Sequence, residues 1–160
     1  MSKWTREETI VAFNVYCKIP FKNSSKTHPM IIKYAKLLGR SSSALNMKIG
    51  NIGRLDPNLK EQGITGLIHG AKMEEEVWKE FYDNPERLAF ESEKIIAKLS
   101  NQSIEESVAI SMDNLPKGIE RAVVIRQRVN QSFFRSAVMS AYNFKCCISG
   151  ISAPQLVEAC

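Results

Sequence analysis

The chain has 160 residues, of which 44% are hydrophobic and 24% are charged, and its net charge is +5. This composition is typical of one globular domain or two small ones and excludes a disordered chain. No run reaches the roughly 18–20 apolar residues that span a bilayer, and the N terminus is not a secretory signal, so we expect a cytoplasmic protein without membrane contact. The four cysteines have no Cys-x-x-Cys spacing, which favours reduced thiols over a zinc site.

The charges are distributed unevenly along the chain. Residues 1–56 contain ten Lys/Arg and three Asp/Glu, residues 57–120 seven and thirteen, and residues 121–160 five and one. Two basic ends around an acidic middle favour a polyanion such as DNA at the ends, through neutralisation of phosphates. The acidic middle suits water or a protein partner. The alternative is an ordinary solvated surface with chance asymmetry.

The N-terminal part of the sequence predicts three helices. Thr5 and Glu8 have the spacing of a capping box, so that a first helix begins after Thr5 and ends at Pro20. A second helix is predicted near residues 29–38, where a proline suits the first turn. A third helix runs from the triple serine, which supplies its N-cap, to about Leu55.

The rest of the sequence predicts a mainly α fold that ends in an incomplete β-hairpin. Residues 57–100 are predicted as an acidic helical middle, and residues 101–119 as a linker, because they are polar and weakly periodic. A long basic helix follows from about residue 120 to 142. Residues 145–151 and 155–159 suit two short strands around a turn.

The third predicted helix has an apolar and a polar face. Leu45, Ile49 and Ile52 share the apolar face. The opposite face is polar, small and basic, as a recognition helix needs to be to enter a major groove. The candidate DNA contacts at this helix and its entrance are Arg40, Ser42, Ser43, Asn46, Met47, Lys48, Asn51 and Arg54.

These candidates differ in what they contact. Arg40 lies beside serine hydroxyls and free amides that can hold a phosphate. Asn46 has the amide that pairs with adenine, and Arg54 the guanidinium that binds guanine or phosphate. Lys48 lies toward the flank and is expected at the DNA backbone. A structural three-helix cap and a protein-docking helix are the alternatives.

Three tracts of this region together resemble a Myb/SANT-type trihelical unit. They are WTREE at residues 4–8, YAKLLGR at 34–40 and SSALNMK at 42–48. The resemblance covers residues 4–56 and implies that residues 1–56 form a trihelical head that binds DNA through its third helix. Some units of this type bind proteins instead.

The C-terminal part contains a second resemblance. RVNQSFFR at residues 128–135, SAYNFKCCISGI at 140–151 and LVEAC at 156–160 resemble the lead-in to the nuclease module of restriction-associated HNH endonucleases. In that family a long helix feeds a hairpin whose second strand ends on the first catalytic histidine. The resemblance implies that residues 120–160 begin such a module and stop before that histidine. By the same analogy, with a solvated face as the alternative, the long helix supplies the candidate DNA contacts Arg128, Asn130, Gln131 and Arg135.

An HNH centre requires a catalytic histidine and metal ligands at defined spacing, and this sequence does not contain them in that arrangement. A histidine activates water there, and further ligands position a divalent cation such as Mg²⁺. The sequence contains only His28 and His69, in no such array. We therefore predict no catalytic residue, no metal ligand and no cleavage by this chain, although the complete nuclease would need the metal. Two functions remain open: the DNA-recognising part of a phosphodiester-hydrolysing HNH endonuclease, and a stand-alone DNA-binding or regulatory protein.

Overall fold

A computed structural model of the protein describes residues 3–65, 70–109 and 117–152. Within these ranges the chain forms eight α-helices and one 3-10 turn, and it contains no β-strand. The prediction of a mainly α fold is confirmed. Among the described helices, none combines the length and the apolar character that crossing a bilayer would require.

The helices of the first half begin and end at local sequence signals. The predicted capping box is confirmed, because Thr5 N donates to Glu8 Oε2 at 2.7 Å and Glu8 N donates to Thr5 Oγ1 at 3.2 Å. Ser41 caps the third helix by accepting from Ala44 N at 3.2 Å. The elements are α1 (Arg6–Lys18), a 3-10 turn (Phe21–Asn23), α2 (Pro29–Leu37), α3 (Ser42–Gly53) and α4 (Pro57–Glu61).

The second half adds two helix pairs. Asn84 Oδ1 accepts from Arg87 N at 3.1 Å and Pro85 occupies the first turn of a helix, so the Asn-Pro step both ends one helix and starts the next. The predicted linker contains a short helix, and its residues 110–116 lie outside the described part. The elements are α5 (Lys72–Phe81), α6 (Pro85–Leu99), α7 (Ile104–Ser107) and α8 (Ile119–Ala141).

One hydrophobic core joins helices from the head, the middle and the C-terminal part. Helix α1 lies at its centre and packs against α3, α5, α6 and α8. The predicted apolar face of α3 is confirmed, since Leu45, Ile49 and Ile52 are buried in this core with Leu88 of α6 and Phe133 of α8. Each such side chain contributes about 1.5–3 kcal/mol on burial. The acidic middle is therefore packed on the head.

The predicted strand over residues 145–151 is not a strand. The chain instead reverses in a tight turn, in which Cys146 N donates to Ile151 O at 2.8 Å and Gly150 N donates to Cys146 O at 2.9 Å. Gly150 has a φ of 71°, a value that glycine adopts without steric cost. These local bonds use the groups that a strand would offer to a neighbour. The second predicted strand, residues 155–159, lies outside the described residues.

Candidate nucleic-acid interface

Helix α5 covers much of the polar side of α3. Lys48 Nζ and Glu74 Oε1 form an ion pair whose side chains are 4% and 0% exposed. The ring of Trp4 lies 4.8 Å from the same ammonium group. The expectation that Lys48 lies at the flank and meets the DNA backbone is therefore wrong, because a lysine held in this way reaches no phosphate. The periodicity of the sequence predicts that Lys48 lies at the flank of α3, beside the core face. Helix α5 packs on that flank and buries the side chain.

Two more predicted contacts point to the same acidic helix. Arg54 Nη2 pairs with Glu75 Oε1 at 2.9 Å, and Asn51 Nδ2 donates to Glu74 Oε1 at 3.4 Å. The hydrogen bond from Arg54 lowers the pKa of Glu75. A Cβ atom at Gly70 would lie 2.2 Å from Arg54 Nε, so the end of the Arg54 side chain would have to shift if this glycine were replaced. These residues of α3 were predicted to contact DNA, but they contact α5.

Arg40 is held against the start of α1. Its Nε donates to Glu8 Oε1 at 2.8 Å and its Nη2 to Glu8 Oε2 at 2.9 Å, a bidentate pair. The guanidinium also lies 4.9 Å from the centroid of the Trp4 ring. Burial opposes ionisation of Glu8, but hydrogen bonds from Arg40 and Thr5 outweigh it and lower the pKa of Glu8. Arg40 thus ties the α2–α3 loop to α1.

A narrow strip of α3 remains open to solvent. Ser43 is exposed, Met47 is 61% exposed, and Ser42 and Asn46 are half-buried beside them. Ser24 Oγ donates to Asn46 Oδ1 at 2.7 Å and so orients the amide. The strip contains no cation. Its polar groups can contact DNA bases, but they cannot neutralise phosphates.

The four predicted contacts on α8 do not share one environment. Arg128 and Arg135 are exposed, and the positions 128, 132 and 135 follow one another on a single flank at helical spacing with Ser132 between them. Asn130 lies on the other flank, whereas Gln131, three residues after Arg128 and four before Arg135, lies on the outer face between the flanks. Both line a groove of about 570 Å³ against Pro85 and apolar side chains of α8. An apolar lining is unsuited to phosphate.

A polar pocket on the arginine side of α8 was missed by the sequence analysis. It has a volume of about 540 Å³ and is lined by Lys18, Lys33 and Lys36, together with Glu93 and Ser132. Within the described ranges, none of the three lysines forms an ion pair. Because Ser132 lines the pocket, the arginine flank of α8 borders it. We call this set the basic surface: Lys18, Lys33, Lys36, Arg128 and Arg135.

The described residues offer no metal site. No three or more of their histidine, cysteine, aspartate and glutamate side chains lie together so as to hold an ion. The Mg²⁺ expected for a complete HNH nuclease stays a prediction. His28 caps α2 by accepting from Met30 N on Nδ1 at 3.2 Å, and His69 lies outside the described part of the chain.

Comparison with known proteins identifies no relative. No protein-family model matches the sequence, and no curated protein or solved structure matches it significantly. The two family resemblances therefore depend on the residues quoted for them.

Proposed function

We propose that this chain recognises duplex DNA through the basic surface, and that this recognition serves an HNH-type endonuclease that hydrolyses phosphodiester bonds. One observation carries the proposal. Lysines from α1 and α2 line the same pocket as Ser132, which lies between Arg128 and Arg135 on one flank of α8. Elements far apart in sequence thus contribute cations to one side of the fold, as a polyanion-binding surface requires.

The pattern of ion pairs supports this location. Glutamates of α5 pair with cations elsewhere in the fold: Glu74 and Glu75 with α3, and Glu80 with Arg6 at 2.5 Å and Arg87 at 2.6 Å. These carboxylates of the acidic middle thus neutralise basic side chains of the same protein. The lysines of the basic surface have no such partner among the described residues, so their charge is available to an external anion.

The spacing of the arginines fits a nucleic-acid backbone. Arg128 and Arg135 are seven residues apart on one helix, or roughly 10 Å along its axis at 1.5 Å per residue. Successive phosphates of one DNA strand lie about 3.4 Å apart along the duplex axis, so the two arginines span about three of them. Lys33 and Lys36, three residues apart on α2, extend the surface to a second helix.

The nuclease part of the proposal is supported by the sequence resemblance of residues 128–160 and by the long helix α8 that this resemblance implies. The first strand of the implied hairpin is not formed at residues 145–151, where the chain makes a closed turn instead. Cleavage is proposed for the nuclease that this recognition serves. Specific binding without cleavage by the intact protein would leave DNA recognition as the whole function.

The experiment is duplex binding at fixed salt, measured by fluorescence anisotropy with a labelled 20–30-bp DNA of mixed sequence. Arg128→Gln and Lys36→Gln should each weaken binding roughly 5–10-fold at 0.1 M salt, because each removes one phosphate contact and its counterion release. Lys60→Gln is the matched control, since Lys60 is an exposed lysine of α4 outside the basic surface. If all three variants bind alike, DNA binds elsewhere or only through net charge.

A further inference from the structure

Lys18 is a partly buried cation that forms no ion pair in the described structure. It occupies the last turn of α1, and the polar pocket opens beside it. It forms no hydrogen bond or ion pair with a described residue, and its ammonium lies 5.7 Å from the centroid of the Phe133 ring. Desolvation by burial lowers the pKa of Lys18, and the nearby carboxylate of Glu93 offsets only part of this shift. A charge in such surroundings is unfavourable unless an anion accompanies it.

The same pocket contains further groups that bind anions. Lys33 and Lys36 reach it from α2, and the hydroxyls of Tyr34, Ser100 and Ser132 line it. Within the described structure, these three hydroxyls donate no hydrogen bond. Hydroxyls and ammonium groups are common donors to phosphate oxygens.

One carboxylate, that of Glu93, also lines the pocket. It accepts a hydrogen bond from Ser107 Oγ, which holds it at the α6–α7 side. Three lysines face this one carboxylate, so the pocket as a whole is positive. Its volume of about 540 Å³ is also larger than a single phosphate needs and falls in the range of ligand-binding pockets.

We propose that this pocket binds a phosphate group, with Lys18 as its inner cation and Lys33 and Lys36 at its mouth. The phosphate belongs either to the backbone of bound DNA or to a free phosphorylated small molecule. The first source rests on the proposed function and deepens it, because it places one backbone phosphate at Lys18. The second source is independent of DNA recognition.

The first arm of the test uses inorganic phosphate and pyrophosphate without DNA. Each is titrated against chloride at constant ionic strength while the thermal unfolding midpoint is followed. Both should raise the midpoint of the wild-type chain through preferential binding to the folded state. Lys18→Met keeps the length of the stem but removes the charge, and should lose this ligand-dependent rise. Lys60→Met should retain it, which separates site binding from the general stabilisation by phosphate salts.

The outcomes of this arm are decisive. An equal rise in the wild type, Lys18→Met and Lys60→Met would overturn the proposal, as would no rise with either ligand. If Lys18→Met does not fold, the Lys33→Gln/Lys36→Gln variant replaces it, because both lysines are exposed. That variant should require several-fold more pyrophosphate for half of the rise, and unchanged binding would likewise overturn the proposal.

The second arm identifies the source of the phosphate. A backbone phosphate predicts that pyrophosphate competes with duplex DNA and that Lys18→Met reduces the slope of log K against log salt by about 0.9. A free phosphorylated molecule predicts pyrophosphate binding with unchanged DNA affinity in Lys18→Met. If the wild type binds pyrophosphate but no DNA, the pocket stands and the proposed function fails. If it binds DNA but no phosphate ligand, the pocket fails alone.

Discussion

The ammonium of Lys48 in α3 and the carboxylate of Glu74 in α5 pair in the interior, where their side chains are 4% and 0% exposed. The pair joins the head to the acidic middle. Asn51 donates to the same carboxylate oxygen, and Trp4 lies over the ammonium. The acidic middle thus supplies the counter-charge for the third helix of the head, whereas Lys18, Lys33 and Lys36 of α1 and α2 form no ion pair among the described residues.

Breaking this pair from one side should destabilise the fold strongly. Lys48→Met leaves the Glu74 carboxylate buried without its partner, and we expect the free energy of unfolding to fall by about 3–5 kcal/mol. Adding Glu74→Gln should recover much of the loss, because no unpaired charge remains. Urea unfolding measures both. Lys94→Met, which removes an exposed pair with Glu91, is the control and should cost less than about 1 kcal/mol. A loss as small as that of the control would contradict an interior ion pair.

The Arg40–Glu8 pair should make stability depend on acid pH. The pKa of Glu8 lies below its ordinary value of 4.5, so the stabilisation is complete above about pH 5 and is lost as pH falls through the lowered value. Arg40→Met should therefore lower the free energy of unfolding at pH 7, and by less at pH 3, where Glu8 is partly protonated. Urea unfolding at the two pH values tests this. Lys98→Met, at an exposed 3.8 Å pair with Glu7, should show little difference from the wild type at either pH. If Arg40→Met lowers the free energy of unfolding equally at both pH values, the loss comes from packing and not from the ion pair.

The thiols should differ in reactivity. A hydrogen bond from the Ser149 side chain, with the backbone N–H groups of Ser149, Ile148 and Gly150, lowers the pKa of Cys146 to about 7. Burial raises the pKa of Cys17 to about 12. Cys146 should thus react with iodoacetamide much faster than Cys17 at pH 7.5, because the thiolate is the nucleophile.

Peptide mapping by mass spectrometry over pH 6–9 measures this difference in reactivity. Ser149→Ala should shift the midpoint of Cys146 alkylation to higher pH, whereas Ser152→Ala should not. Equal alkylation rates for Cys146 and Cys17 would show that the turn at residues 146–151 is not closed as described.

The open strip of α3 should affect sequence preference more than affinity. Asn46→Ala removes an amide and no charge, so binding to mixed-sequence DNA should change little, while the spread of affinities among different duplexes should narrow. A binding-site selection experiment compares the variant with the wild type. Asn58→Ala, an exposed asparagine in α4, is the control. If Asn46→Ala has the same DNA-sequence preference as the wild type, the open strip of α3 does not contact the bases.

Local signals predicted the helices better than they predicted the site. The capping box of Thr5 and the Asn84–Pro85 step act within one turn of helix, so the sequence alone reveals them. The position of Lys48 depends on α5, which begins about twenty residues later, and periodicity within α3 contains no information about it.

The basic surface could not be predicted from the sequence for the same reason. Lys18 and Lys33 lie on separate helices, and their approach to Ser132 of α8 follows from the packing of α1 at the centre of the core. Charge counts along the chain identified two basic ends, but not which cations the acidic middle would neutralise. The turn at residues 146–151 was predicted as a strand because a short apolar segment with two isoleucines does not by itself distinguish a strand from a closed turn.

The most direct test of DNA recognition is the salt dependence of duplex binding by the wild-type chain. Anisotropy titrations between 50 and 300 mM salt give the slope of log K against log salt. With three to five cations of the basic surface at phosphates, we expect a slope of roughly −3 to −4.5. Arg128→Gln should bring it about 0.9 closer to zero, while Lys60→Gln leaves it unchanged. No binding at 50 mM salt, or a slope that is equally reduced by Arg128→Gln and Lys60→Gln, would contradict recognition of DNA by this surface.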